Sequence, residues 1–130
     1  MAAPYVLVEQ GHPFKPEVPK KWYARAKSSK ELTFRRLSKD IAEGSTTVSD
    51  TDVLAVLNDL IKILCRHLQD GEIVRFGDFG SFQISISSEG AETPEKFHHS
   101  MIKGSKVVFR PGLDLKEMLN NLKYEKHQGQ

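Results

Sequence analysis

Phe82, Ile84 and Ile86 alternate with Gln83, Ser85 and Ser87, the period of a strand with one buried face. Just ahead of it, Phe76-Gly77-Asp78-Phe79-Gly80-Ser81-Phe82 sets three phenylalanines and two glycines into seven residues. Gly77 and Gly80 can take positive φ or admit a close backbone approach, so the stretch predicts a hairpin that carries aromatics into a core. Upstream the period changes to that of helices. Thr33 can cap a first helix with Phe34, Leu37 and Ile41 on one face, Arg35, Arg36 and Lys39 on the other, and Gly44 at its end. Ser49 and Asp52 have capping-box spacing, and a long helix follows with Val53, Val56, Leu57, Leu60, Ile61, Leu64 and Leu68, stopping before Gly71. Leu54, Ile63 and Cys65 widen that stripe. A helix apolar over so much of its circumference is buried on more than one side, and a second subunit would supply the cover.

Both ends add further elements. Tyr5 to Glu9 reads as a short strand and Lys21 to Lys27 as a second. The three prolines between Gly11 and Pro19 predict an extended connector. Together they predict an N-terminal β-ribbon with Phe14, Trp22 and Tyr23 to bury. Residues 87–105 hold Gly90, Pro94 and Gly104 without an apolar period, as a long loop or the tip of a protruding arm. Lys106 to Arg110 is a strand that Pro111-Gly112 breaks, and Leu115, Met118, Leu119 and Leu122 predict a short helix. The expected boundaries are a ribbon over 1–31, a main domain over 32–122 and a polar tail over 123–130, loose at its end.

Composition narrows the function classes. At 130 residues and 38% hydrophobic content the chain suits one soluble domain with a small extension. No apolar run reaches the roughly 18 residues of a membrane span, and the first residues lack the pattern of a signal peptide. The single cysteine, Cys65, excludes an internal disulfide, fits a reducing cytoplasm and reads as a small buried hydrophobe. Net charge is only +2, but residues 1–40 hold nine Lys/Arg against four Asp/Glu and the rest hold ten against thirteen. A solvated surface and a nucleic-acid contact both fit that N-terminal excess.

Candidate chemistry is sparse. Asp78-Phe79-Gly80 spells the magnesium-binding triplet of protein kinases, but the chain has no glycine-rich phosphate loop, strand lysine or HRD-type loop to accompany it. His98-His99 on an extended segment would point to opposite sides, with no further ligand at metal spacing. Cys65 and His67 are two apart on a helix and do not share a face. No activated nucleophile or carboxylate pair stands out. The expectation is a protein that is not an enzyme and takes no metal, cofactor or small-molecule substrate.

The order of elements resembles the HU/IHF family of bacterial histone-like DNA-binding proteins. Asp70-Gly71-Glu72-Ile73-Val74-Arg75 is similar to the family's helix-to-strand junction. Asp78-Phe79-Gly80-Ser81-Phe82 is similar to its G-F-G-T-F signature, with Asp78 where glycine is usual. Phe109-Arg110-Pro111-Gly112 with Leu115, Lys116 and Asn120 is similar to its F-K-P-G-x-x-L-K pattern and nearby asparagine. The likeness runs from about Leu32 to about Asn120, and with the N-terminal extension it resembles the HU-like proteins of Bacteroidetes. It implies an α+β fold, an intertwined homodimer with two N-terminal helices, an antiparallel sheet with a protruding β-arm, a short C-terminal helix and the extra ribbon. Leu57, Leu60, Ile61, Leu64, Phe76, Phe79 and Phe82 would form the dimer interface.

The resemblance also implies a nucleoid-associated cytoplasmic protein that binds double-stranded DNA with low sequence specificity and bends or condenses it. In that mode arms enter the minor groove and a proline wedge unstacks a base step, the bend recovering the cost. Its contacts would be Arg75, Pro94, Lys96, Lys103, Lys106 and Arg110, joined by Lys20, Lys21, Arg25 and Lys27 of the basic N-terminal segment. Residues 85–106 depart from the family's basic arm, because Lys96, Lys103 and Lys106 are matched by Glu89, Glu92 and Glu95. Few cations per arm leave few counterions to release. Weaker or differently placed DNA binding is expected, and an HU-fold interaction module that has lost DNA bending is the alternative.

Overall fold

In the computed structural model, which describes residues 1–44 and 47–128, the chain runs β1 (Ala3–Gln10), β2 (Lys21–Ala26), α1 (Phe34–Glu43), α2 (Asp50–Gln69), β3 (Val74–Phe76), β4 (Gly80–Ser88), β5 (Ile102–Pro111), α3 (Leu113–Asn120) and β6 (Tyr124–Lys126). The architecture is α+β. Two compact units divide it: Met1–Thr33 with Leu119–Gln130, and Phe34–Met118.

In the larger unit, α1 packs on α2, and α2 packs on β3 and β4. Ser49 opens α2 as read from sequence, its hydroxyl accepting the Asp52 N–H at 3.1 Å. Asp50 and Asp52 in the first turn and Arg66 and His67 in the last complement the helix dipole. The helix ends at Gly71, whose φ of +80° suits the left-handed position after a C-cap. Few of the described residues are buried: Val53 and Leu68 on α2, Ser38 on α1 and Gly80 at the start of β4. Ser38 sits in the apolar face that Phe34 and Leu37 predict. Its hydroxyl donates to the Phe34 carbonyl at 2.6 Å, so burial leaves no polar atom unpaired. Cys65 is exposed, because its side of α2 faces outward instead of joining the helix's internal packing.

The two aromatic-glycine motifs meet. Phe76, Phe82 and Phe109 form a run of tilted rings at 5.3 and 4.8 Å, and Phe79 joins Phe109 at 5.8 Å. Gly112 N–H donates to Phe79 O at 2.8 Å and Asp114 N–H to Asp78 O at 2.9 Å. The hairpin turn thereby supplies acceptors for the amide just before α3 and for the Asp114 amide in its first turn, which no intrahelical carbonyl can reach. Gly77 takes φ of +51°, whereas Asp78 has no positive φ and needs no glycine.

The smaller unit is a three-stranded sheet in the order β2-β1-β6. Strands β1 and β2 are antiparallel, with Tyr5 opposite Ala26 and Glu9 opposite Trp22. Strand β6 pairs with β1 in parallel, Ala3 opposite Tyr124, and it lies in the stretch 123–130 read as a polar tail. The connector is turned rather than extended, since Lys15 N–H reaches His12 O at 3.3 Å and Val18 N–H reaches Lys15 O at 3.0 Å. Nor does it bury the aromatics: Phe14, Trp22 and Tyr23 are all exposed.

Candidate nucleic-acid interface

The β3-β4-β5 sheet has two unlike faces. Phe82 opposite Phe109 and Ile84 opposite Val107 share the apolar face. The other face begins with a row formed by Arg75, Ser81 and Arg110, Ser81 pairing with both arginines. Farther out come Gln83 opposite Val108, Ser85 opposite Lys106 and Ser87 opposite Gly104. Alternation along each strand puts these residues on one side. Arg75, Lys106 and Arg110 are exposed, and no ion pair among the described residues engages them. Arg110 and Lys106, four residues apart on one extended strand, stand ~13 Å apart, far enough to address separate phosphates.

Serines between the cations leave a low surface whose hydroxyls can donate to anionic oxygens. A groove of about 390 Å³ lies along the outer part of this ladder, lined by Ser85, Ile86, Ser87, Lys103, Ser105 and Lys106. Lys103 enters it beside an irregularity in the pairing between Ser87 and Ser88. This surface can bind anions through charge and hydrogen bonds.

The strands continue to Ser88 opposite Ile102, longer than the alternation of β5 alone suggested. Residues 89–101 then fold back as a cap, closed by Glu89 N–H donating to Met101 O at 2.8 Å. Pro94 is exposed at the start of a 3-10 turn over Pro94–Lys96. Lys96 is engaged with Glu92 at 3.2 Å, an i,i+4 pair whose spacing is visible in the sequence. His98 and His99 do not point to opposite sides. Their rings stack at 4.3 Å because a second 3-10 turn begins at His99, and His98 Nδ1 accepts the Ser100 N–H at 3.1 Å. Among the described residues no three His, Cys, Asp or Glu side chains gather as a metal site would require.

The remaining cations predicted for DNA lie in the smaller unit. Lys21 and Arg25 flank Tyr23 on one face of β2, Lys20 precedes the strand and Lys27 follows it. Of the residues predicted for a dimer interface, Leu57, Leu64, Phe76 and Phe82 are half-buried, and Leu60, Ile61 and Phe79 are exposed.

A family model described as an HU domain fused to wHTH, Ig, or glycine-rich motif matches residues 1–126. Among solved structures, one from Bacteroides vulgatus, described as a candidate DNA-binding protein, superposes with a TM-score of 0.65 at 10% identity, covering 96% of this chain and 48% of that one. The likeness is one of fold, and this chain spans about half the length of that protein. An Anabaena HU–DNA cocrystal structure aligns with a TM-score of 0.47 at 17% identity, covering 69% of this chain and 98% of that one. Comparison with curated proteins finds no match.

Proposed function

Since the chain belongs to the family of HU domains fused to wHTH, Ig, or glycine-rich motif, we propose that it is a nucleoid-associated architectural protein that binds duplex DNA with little sequence preference. Arg75, Arg110 and Lys106 grip phosphates, with Lys103 in the adjoining groove, and the paired strands β4 and β5 serve as the arm that reaches into the minor groove. Contacts to phosphates and groove shape carry affinity without reading bases. Bending and compaction follow from wrapping DNA over such a surface. The observation that carries the reading is the gathering of unpaired cations and small hydroxyl side chains on one face of one sheet.

The protein works as a homodimer on this reading. Leu60 and Ile61 on α2 are 36% and 44% exposed beside half-buried Leu57 and Leu64, a contiguous apolar stripe of the kind that marks an interface. The alternative, an HU-fold interaction module with weakened DNA binding, is favoured by one observation. Residues 34–118 carry eleven Lys/Arg against thirteen Asp/Glu, a net negative unit for a task that rewards positive charge.

A salt titration on random-sequence duplex decides between the two. Affinity should fall steeply as salt rises, and Arg110→Ala or Lys106→Ala should lower the slope of log K against log salt by about one per contact removed. Binding that is undetectable at low ionic strength would sink the proposal in favour of the interaction module.

A further inference from the structure

One face of the small sheet is mostly small apolar and aromatic residues. Ala3, Tyr5, Leu7, Trp22, Ala24, Ala26 and Tyr124 occupy it by register, together with Glu9 opposite Trp22 and Lys126 opposite Tyr5. Trp22 and Tyr124 are 63% and 70% exposed there, an unusual placement for such large apolar surface. A cavity of about 490 Å³ opens on this face, floored by Ala3, Ala24 and Ala26, walled by Tyr5, Tyr124 and Leu122, with Arg25 at its border. Three alanines keep the floor flat, so a planar group can lie between the aromatic walls. Trp22 lies farther along the same face, past the Leu7–Ala24 pair, where a second planar group can stack.

Cations border this floor. The central strand β1 carries none, whereas Lys20 and Lys27 flank β2. Arg25 reaches the cavity rim although it and Lys21 alternate to the opposite face. Lys123 and Lys126 lie around β6, Lys126 on this face. Residues 1–33 and 119–130 together hold eight Lys/Arg against four Asp/Glu. None of the eight takes part in an ion pair among the described residues. An apolar, aromatic floor between two basic margins is complementary to a polymer with planar apolar faces along an anionic backbone.

We infer that this face is a stacking platform for single-stranded nucleic acid, with unpaired bases lying on Tyr5, Tyr124 and Trp22 and phosphates running along the basic edges. Stacking on aromatic side chains tolerates any base and is strong enough to hold a strand without base-edge hydrogen bonds. The inference does not depend on the duplex reading, which concerns the other unit.

Trp22 is the sole tryptophan, so its emission reports on this face alone. Adding a short oligothymidylate to the full chain at low salt should quench that emission, and an abasic oligomer of equal length should bind at least tenfold more weakly. Tyr124→Ala and, followed with a labelled oligomer, Trp22→Ala should each weaken the base-bearing strand about tenfold. Tyr124→Phe, which keeps the ring and the strand, should bind like the parent. Equal affinity for abasic and base-bearing strands would overturn the proposal and leave only a charge effect. So would Trp22 emission that shifts with protein concentration before any nucleic acid is added, which would mean that a second copy occupies the face. Arg110→Ala should leave single-strand affinity within about twofold while weakening duplex. Loss of both together would assign the strand to the arm face instead, so failure of one reading is separable from failure of the other.

Discussion

Gly80 is buried where β4 leaves the hairpin turn, and a Cβ built there would stand 2.6 Å from the Arg110 carbonyl and from the Phe109 ring. The carbonyl belongs to the paired strand and cannot step aside without breaking the ladder. Gly77, three residues earlier, has φ of +51° and open space around it. Alanine there meets only the backbone cost of the left-handed region, about 1–2 kcal/mol. Gly80→Ala should therefore cost more than Gly77→Ala, by roughly 1–3 kcal/mol of overpacking, read as the difference in urea midpoints of the two variants. The opposite order would refute the packing account. Both glycines were legible in the sequence as turn residues, but their separate reasons were not, since only the register of β5 brings Phe109 and Arg110 against Gly80.

Among the elements, α2 reveals most. Its period, its Ser49 cap and its stop at Gly71 could all be read directly, because local spacing and capping chemistry decide them. The breadth of its stripe pointed to cover from a second chain, and Ile61 on that stripe is 44% exposed in the single chain. Placing a charge there should spare the fold of one chain and break a dimer. Ile61→Asp is expected to cost about 3–5 kcal/mol of association free energy through an unpaired buried charge, seen by light scattering as a fall to monomer mass with helical circular dichroism retained. A dimer of unchanged affinity would move the interface off this stripe. The arm was less legible. Residues 89–101 have no hydrophobic period, and their cap depends on short contacts such as Lys96 with Glu92 and His98 with Ser100, which propensity does not report.

At the scale of the whole chain, charge and topology separate in a way that composition hides. The formal charge of +2 is the residue of a basic sheet unit and a slightly acidic helical one. The boundary between them escaped sequence reading at its far end, because Tyr124-Glu125-Lys126 is too short to signal a strand and pairs with residues at the opposite end of the chain. That pairing is testable. Ala3 N–H donates to Lys123 O at 2.7 Å and His127 N–H to Tyr5 O at 2.8 Å. A chain ended at Asn121 should lose protection of the Ala3 amide in hydrogen exchange while the amides of α2 stay protected. Equal protection in both proteins would mean that β6 adds nothing to the sheet.

The parallel contact between β1 and β6 also imposes a timetable. β1 leaves the ribosome well before β6, so it keeps one edge open while the intervening residues are made. At ordinary translation rates that wait is on the order of ten seconds. Throughout it an apolar edge strand is available to any neighbouring nascent chain. Pro4 does not guard that edge, because its carbonyl faces β2 and accepts the Lys27 N–H at 2.9 Å; the waiting edge presents the backbone groups of Ala3 and Tyr5.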